Sequence, residues 1–380
     1  MGQWHVPAIR ARFSLPSSMP SKPDRTRPGP RTTSNSASQP GGQRGKQPAT
    51  PFLTRPASAL HPCNRHQGRY DFPLLLQHDP GLRPFVLTTP AGEPSIDFTD
   101  AQAVKALNRA LLLAHYGIRD WDLPPNNLCP PVPGRVDMLH YLADLLGSSN
   151  HGKLPGSADC PVSVLDIGTG ASCIYPLLGA SEYGWQFVAS DINPASLAHA
   201  QTILGANPQL ATHIRLRHQP DASAIFKGII QSDDWFDLTL CNPPFHASLA
   251  QAQDGTQRKW RNLGKAPNQH QSKKPDKASS TASPLNFGGQ DAELWCEGGE
   301  RAFILQMIKE SSHFANHCFW FSSLVSKADN LPAITAAIRQ AGVTATQTIA
   351  MSQGQKQSRV VAWTFLNPAQ QTAWRARQRG

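Results

Sequence analysis

Five short apolar runs separated by helical stretches constrain the fold of this chain more than any other feature. VSVLDI (162–167), WQFVAS (185–190), the weaker IRLRH (214–218), FDLTLC (236–241) and HCFWFSSLV (317–325) read as strands. Helical stretches fall between them, notably 194–206 and 299–315. Alternation of this kind builds a mostly parallel sheet with helices on both faces. The first run is apolar throughout and enters a glycine-rich turn, as a buried parallel strand does. VTATQTIAM (343–351) and RVVAWTF (359–365) are close enough to pair as a hairpin, which adds an antiparallel edge. The expected architecture is a Rossmann-like α/β fold with a seven-stranded, mostly parallel sheet.

The flanks differ in character. Residues 1–58 are rich in Pro, Ser, Arg and Gly without apolar periodicity and read as a disordered basic tail. Residues 59–158 read as a small, mainly helical region. Within it, 100–118 has helical spacing behind an Asp100 cap, a Pro-rich crossing follows, and Val136–Leu146 reads as a second helix. The main domain spans 159–367 and carries a polar, basic insert at 250–285; residues 368–380 read as a basic tail.

Charge is concentrated in two of these segments. Of a formal net charge of +10, residues 1–50 hold eight basic side chains against Asp24 alone, and 255–285 hold seven against Asp276 alone. The remainder is slightly acidic. Basic segments of this kind attract phosphate backbones without reading sequence. The seven cysteines include no CxxC pair, so neither a disulfide framework nor a metal site is expected. No apolar run is long enough to span a membrane, and the N-terminus lacks the apolar core of a secretory signal. A cytoplasmic monomer is expected.

The first strand runs Val164-Leu165-Asp166-Ile167-Gly168-Thr169-Gly170. Glycines here let the backbone turn tightly and approach a ligand. A third glycine would favour a dinucleotide, but Cys173 stands in its place. The second strand ends at Asp191, where a carboxylate can accept both hydroxyls of a ribose. Asp191 could instead cap the helix that begins near Pro194.

The fourth strand runs directly into Asn242-Pro243-Pro244-Phe245. Ligands of open α/β sheets lie outside the carboxyl ends of the strands, so this tetrapeptide lines the same crevice as the glycines. Its chemistry suits a conjugated amine. The Asn242 side-chain carbonyl and the Pro243 backbone carbonyl can accept the two amine hydrogens. Proline fixes φ and so presents its carbonyl rigidly, and Phe245 offers a face for a flipped base. His61, Asn64, Arg65, His66, Arg69 and Tyr70 form a polar, aromatic-bearing cluster suited to phosphate and base contacts. Glu297 and Glu300 read as capping groups at a helix start.

With these residues in view, the chain resembles class I methyltransferases, whose amino-group branch carries [DNS]-P-P-[YFW]. More narrowly it resembles the RlmF family, which methylates N6 of an adenine in bacterial large-subunit ribosomal RNA. The match covers HPCNRHQGRYDF (61–72), DIGTGASCIYPLLGA (166–180), LCNPPFHAS (240–248), LNFGGQDAELWCEGGE (285–300) and Ser358–Trp363. The resemblance implies S-adenosyl-L-methionine as cofactor, with contacts at Gly168, Asp191 and Asn242; Asp166 and Gly170 of the same turn are further cofactor-binding candidates. It adds Arg135, whose guanidinium suits the cofactor's carboxylate, and Asp221, in the segment after the third strand. It implies ribosomal RNA as partner and adenine 1618 as target. Methylation of DNA adenine or of protein glutamine uses the same tetrapeptide, and an RNA-binding module with a decayed site is the non-enzymatic alternative.

Overall fold

The computed structural model describes residues 60–125, 127–156, 160–244, 296–353 and 356–377. The tail expected over 1–58, Phe245 and the 250–285 insert lie outside the described residues.

The strands are β1 (Val86–Thr88), β2 (Pro94–Ile96), β3 (Ser163–Ile167), β4 (Gln186–Asp191), β5 (Ile214–His218), β6 (Phe236–Cys241), β7 (Cys318–Val325), β8 (Ala345–Gln353) and β9 (Lys356–Thr364). The α-helices are α1 (Phe72–His78), α2 (Ala101–Tyr116), α3 (Val132–Ser148), α4 (Ile174–Tyr183), α5 (Pro194–Ala206), α6 (Pro208–Ala211), α7 (Gly299–Ser311), α8 (Leu331–Gln340) and α9 (Pro368–Arg377). Strands β3 to β9 form one sheet in the order β5-β4-β3-β6-β7-β9-β8. The first five are parallel, and β9 runs antiparallel between β7 and β8. This is the seven-stranded sheet with a terminal hairpin that the alternation implied. From β3 the order runs outward to β4 and β5 on one side and to β6 and β7 on the other. The switch point therefore lies between β3 and β6, where the carboxyl ends of neighbouring strands open a crevice.

Apolar residues fill both faces of the sheet. Val162 and Val164 face one layer, with α2, α3, α4 and α5; Leu165 and Ile167 face the other, with α7 and α8. Leu111, Val136, Leu139 and Leu142 of the N-terminal region share a cluster with Val164, Leu177 and Phe187. The region expected as a separate helical unit thus completes one side of the core. It also holds an unanticipated hairpin, β1–β2.

Three elements begin where their caps dictate. Helix α2 starts behind Asp100, whose carboxylate accepts from the Gln102 N–H at 2.8 Å, as expected. Helix α3 starts at Val132 instead of Val136 because Pro133 sits in its first turn, where a missing N–H costs nothing. The segment expected as a C-terminal tail forms helix α9. Asn367 and Gln370 exchange hydrogen bonds at 2.9 Å as a capping box, and Trp374, 8 % exposed, donates to Asp237 at 2.7 Å.

Candidate active site

Sheet register brings the three key positions to one level. Ile167 pairs with Ser190 on one side and with Cys241 on the other. The next residues along the three parallel chains are Gly168, Asp191 and Asn242. A ligand in the crevice thus meets a glycine turn, a carboxylate and an amide together.

The turn is shaped for close approach. Gly168 and Gly170 have φ of +73° and +64°. A Cβ on Gly168 would meet no atom within 4 Å, so open space lies in front of it. The Gly168 and Thr169 N–H groups both donate to the Ser190 carbonyl at 2.9 Å, tying the turn to β4. Cys173, at the third position of the motif, adopts φ +48° in the left-handed region, and its buried thiol is pushed up to about 12. The backbone thus keeps the conformation that a glycine would have supplied. The N-terminal region braces this turn: Trp121 Nε1 donates to the Ser172 carbonyl at 3.0 Å.

Asp191 closes the other side. Its Oδ2 accepts from the Gly170 N–H and its Oδ1 from the Asn193 N–H, both at 2.8 Å. The Ile192 N–H also acts on it; a carboxylate has about four acceptor sites, so at least one remains for a ribose hydroxyl. Burial raises its pKa, while the Asn193 and Gly170 N–H groups oppose the rise. Asn193, not Asp191, caps α5, accepting from the Ala195 N–H at 2.9 Å.

Buried polar atoms without partners cluster here. Both oxygens of Asp166, which is 1 % exposed, lack a well-formed hydrogen bond among the described residues. So do Asn242 Oδ1 and Arg135 Nε. Burial pushes the Asp166 carboxyl up to about 7; Thr169 and Arg135 pull against the rise and Asp191 adds to it. Arg135, in the first turn of α3, donates through Nη1 to the Tyr175 hydroxyl at 2.8 Å, which places it over the start of α4. Unsatisfied buried polar atoms are costly and uncommon. An acceptor pair at Asp166, a donor at Arg135 and acceptors at Asp191 match the ammonium, the carboxylate and the ribose of an amino-acid nucleoside. S-adenosylmethionine therefore fits the residues present.

Asp221 is exposed in the loop that leaves β5 beside Asp191. Its exposed carboxylate is engaged in its own turn, accepting from the Ser223 N–H at 2.9 Å and hydroxyl at 2.6 Å, and these hold it below the usual carboxylate range. Pro243 is buried and Pro244 half-buried behind Asn242.

The N-terminal cluster corrects a sequence expectation. His61, Asn64 and His66 are turned inward and spent on internal bonds. His61 N donates to Asp137 at 2.7 Å, and its ring meets Asp144 at 2.9 Å. Asn64 donates to Pro133 O and Asp137, and His66 meets the Tyr116 hydroxyl at 2.7 Å. Burial pushes the His66 imidazole down to about 3, so the ring is held neutral. These three side chains fasten the segment to α2 and α3 and do not present themselves to a ligand. Tyr70 is half-buried against the core. Arg65, bonded to Glu182 at 2.5 Å, and Arg69, bonded to Glu93 at 2.6 Å, keep exposed faces.

Two carboxylates that sequence reading treated as incidental or passed over are structural anchors. Glu300 accepts from Ser326, Lys327 and Asn330, so its oxygens serve the loop after β7 and do not cap its own helix. Glu310 accepts from three consecutive backbone N–H groups, those of Ile225, Phe226 and Lys227. Nothing local in the sequence signals such long-range bonds.

A seven-stranded sheet of this order, a glycine turn facing an acid, and Asn-Pro-Pro at the adjoining strand tip define an S-adenosylmethionine-dependent methyltransferase of the Rossmann-like class. Residues 54–367 match the model of a family described as RNA methyltransferase, and the chain belongs to that family. Ribosomal RNA large subunit methyltransferase F of Pseudomonas aeruginosa PAO1 is 55 % identical over 319 residues, covering 84 % of this chain and 91 % of that protein. The protein of that name from Ectopseudomonas mendocina is 53 % identical over 335 residues, 88 % and 97 % of the two chains. Among solved structures, the human METTL16 catalytic domain in complex with MAT2A 3′UTR hairpin 1 superposes with a TM-score of 0.66 at 28 % identity, over 82 % of this chain and 97 % of that one. The N-terminal domain of human METTL16 in complex with SAH gives 0.62 at 26 %, over 81 % and 99 %.

Proposed function

We propose that this chain methylates the exocyclic N6 of an adenine in large-subunit ribosomal RNA, the position numbered 1618 in the bacterial molecule. The observation that carries the reading is the Asn242 amide oxygen, buried and without a partner among the described residues, at the same strand level as Gly168 and Asp191. The identity to proteins named ribosomal RNA large subunit methyltransferase F supports the choice of RNA.

In this reading Arg135 and Asp166 hold the amino-acid end of S-adenosylmethionine, and Gly168 and Asp191 hold its nucleoside. When bound, the cofactor supplies an electrophilic methyl group on a sulfonium. Asn242 Oδ1 and the Pro243 carbonyl accept the two hydrogens of the adenine amine. That grip turns the nitrogen lone pair out of the ring plane and toward the cofactor. Phe245 stacks on the flipped base. Rate enhancement comes mainly from alignment, which can lower a barrier by roughly 7–11 kcal/mol. No strong base is required, because the amine is uncharged at the start and its proton leaves to solvent after transfer. Arg65, Arg69 and Tyr70 contact the RNA outside the crevice, and Asp221 borders the cofactor.

The test is methyl transfer from labelled cofactor to ribosomal RNA, DNA and a glutamine peptide by the full chain. Label in the RNA, mapped by mass to one N6-methyladenine, is expected. Label confined to DNA or peptide would replace the reading with one of those activities. Asn242→Ala is expected to lower turnover by at least about 100-fold while cofactor binding persists, as loss of a group that acts only in the transition state does. Wild-type turnover in that variant would remove Asn242 from the mechanism.

A further inference from the structure

Helix α7 carries two carboxylates that reach, from one element, to two loops, the one that leaves β5 and the one that leaves β7. We propose that α7 is the positioning element of the active site, with Glu310 setting the cofactor rim and Glu300 setting the methyl-acceptor rim. The inference rests on the assignment of cofactor and acceptor sides made above.

The cofactor rim is the loop that leaves β5. It begins beside Asp191, since Asp191 pairs with His218 and the Gln219 N–H donates to the Asp191 carbonyl at 2.9 Å. Glu310 holds its far end. One oxygen accepts from Phe226 at 2.8 Å and Lys227 at 2.6 Å, and the other from Ile225 at 2.9 Å. Gln306, one turn earlier, donates to the Ser223 carbonyl. Buried Gln219 ties the loop across its base, donating to Lys227 O at 2.9 Å and accepting from the Asp221 N–H at 3.1 Å. Glu310 stands in the last turn of α7, where the helix dipole disfavours a negative charge. Three charge-assisted bonds to N–H groups outweigh that penalty.

The acceptor rim is the loop that leaves β7. Strand β7 is the parallel neighbour of β6, on the side away from β3, so its carboxyl end flanks Asn242. Glu300, 2 % exposed, receives four donors: Ser326 N–H at 2.6 Å, Ser326 hydroxyl at 2.5 Å, Asn330 Nδ2 at 2.6 Å and Lys327 N–H at 3.2 Å. Four donors match the four acceptor sites of a carboxylate. A glutamine at either position turns an NH₂ toward a group that is itself a donor. Each loop would then lose its anchor without loss of side-chain volume.

The two roles separate in binding and kinetics. Calorimetry with S-adenosylmethionine alone and steady-state transfer to a large-subunit RNA transcript are measured on the full chain. Glu310→Gln is expected to weaken cofactor binding by about ten-fold, as loss of a charged acceptor does, with KM for RNA within about two-fold of wild type. Glu300→Gln is expected to leave cofactor binding within about two-fold and to lower kcat/KM for RNA by about ten-fold or more. Gln306→Ala and Asn330→Ala, each removing one outer bond of the same rims, should shift the same parameters by less. They decide the matter if either glutamine variant fails to fold. Parallel loss of both parameters in all four variants, or no change in either, would overturn the proposal. Failure of the methyl-transfer reading is seen separately, as wild-type turnover in Asn242→Ala, whereas the cofactor arm is read without turnover.

Discussion

At the scale of single residues, Asp166 is a carboxyl whose chemistry is strongly displaced from that of an exposed one. Its carboxyl is buried, has no well-formed hydrogen bond among the described residues and is pushed up to about 7. A carboxyl that holds its proton more tightly in the folded chain than in the unfolded one favours the fold at low pH. Stability contributed by Asp166 is therefore greatest below about pH 4, falls as pH rises through about 7, and is lost above that, at about 1.4 kcal/mol per pH unit at most. The cofactor-free protein should lose denaturant resistance between pH 5 and pH 8, and Asp166→Asn should flatten that slope. Urea titrations of both proteins at the two pH values measure it; equal slopes would show that Asp166 is already ionised and satisfied. That Gly168, Asp191 and Asn242 stand together at the strand tips was legible because strand ends, glycines and prolines are local signals. The inward orientation of His61, Asn64 and His66 was not, because polarity suggests exposure until the buried partners Asp137, Asp144 and Tyr116 are known.

At the scale of elements, helix α4 packs on β4 through a glycine. A Cβ on Gly179 would come within 2.5 Å of the Phe187 ring. Alanine in place of glycine adds up to about 1 kcal/mol to a helix, whereas overpacking a core costs about 1–3 kcal/mol. Phe187 is itself buried against Trp185, so it has little room to yield and the clash should win. Gly179→Ala is expected to lower Tm by a few degrees, and a higher Tm would mean that the ring shifts freely. Helices α3 and α9 show two ways in which sequence reading went short. The prolines before Val136 suggested a crossing, although Pro133 occupies the one helical turn that tolerates it. The basic residues after Asn367 suggested a tail, although Asn367-Pro368-Ala369-Gln370 is itself a capping box.

At the scale of the whole molecule, the excess charge is unevenly distributed along the chain. The family match begins at residue 54, and the buried clusters of the described residues lie within it or just beyond it, whereas residues 1–50 carry eight basic side chains against one acid. Deletion of residues 1–55 should leave Tm within a few degrees of wild type and weaken RNA binding. It should also reduce the dependence of log Kd on log salt by about 0.7 for each lost contact to single-stranded phosphate. Fluorescence melting and binding at several salt concentrations test this, and a collapse in Tm would mean that the segment contributes to the fold. The order of apolar runs and glycine turns was enough to determine the sheet class and the crevice, since backbone periodicity and turn chemistry act between near neighbours. Only tertiary structure decided that the N-terminal helices share the sheet's core, that three histidine-segment side chains are internal, and that Glu300 and Glu310 of α7 bind the loops after β7 and β5. Those outcomes depend on contacts between residues tens of positions apart, whose partners no local pattern names.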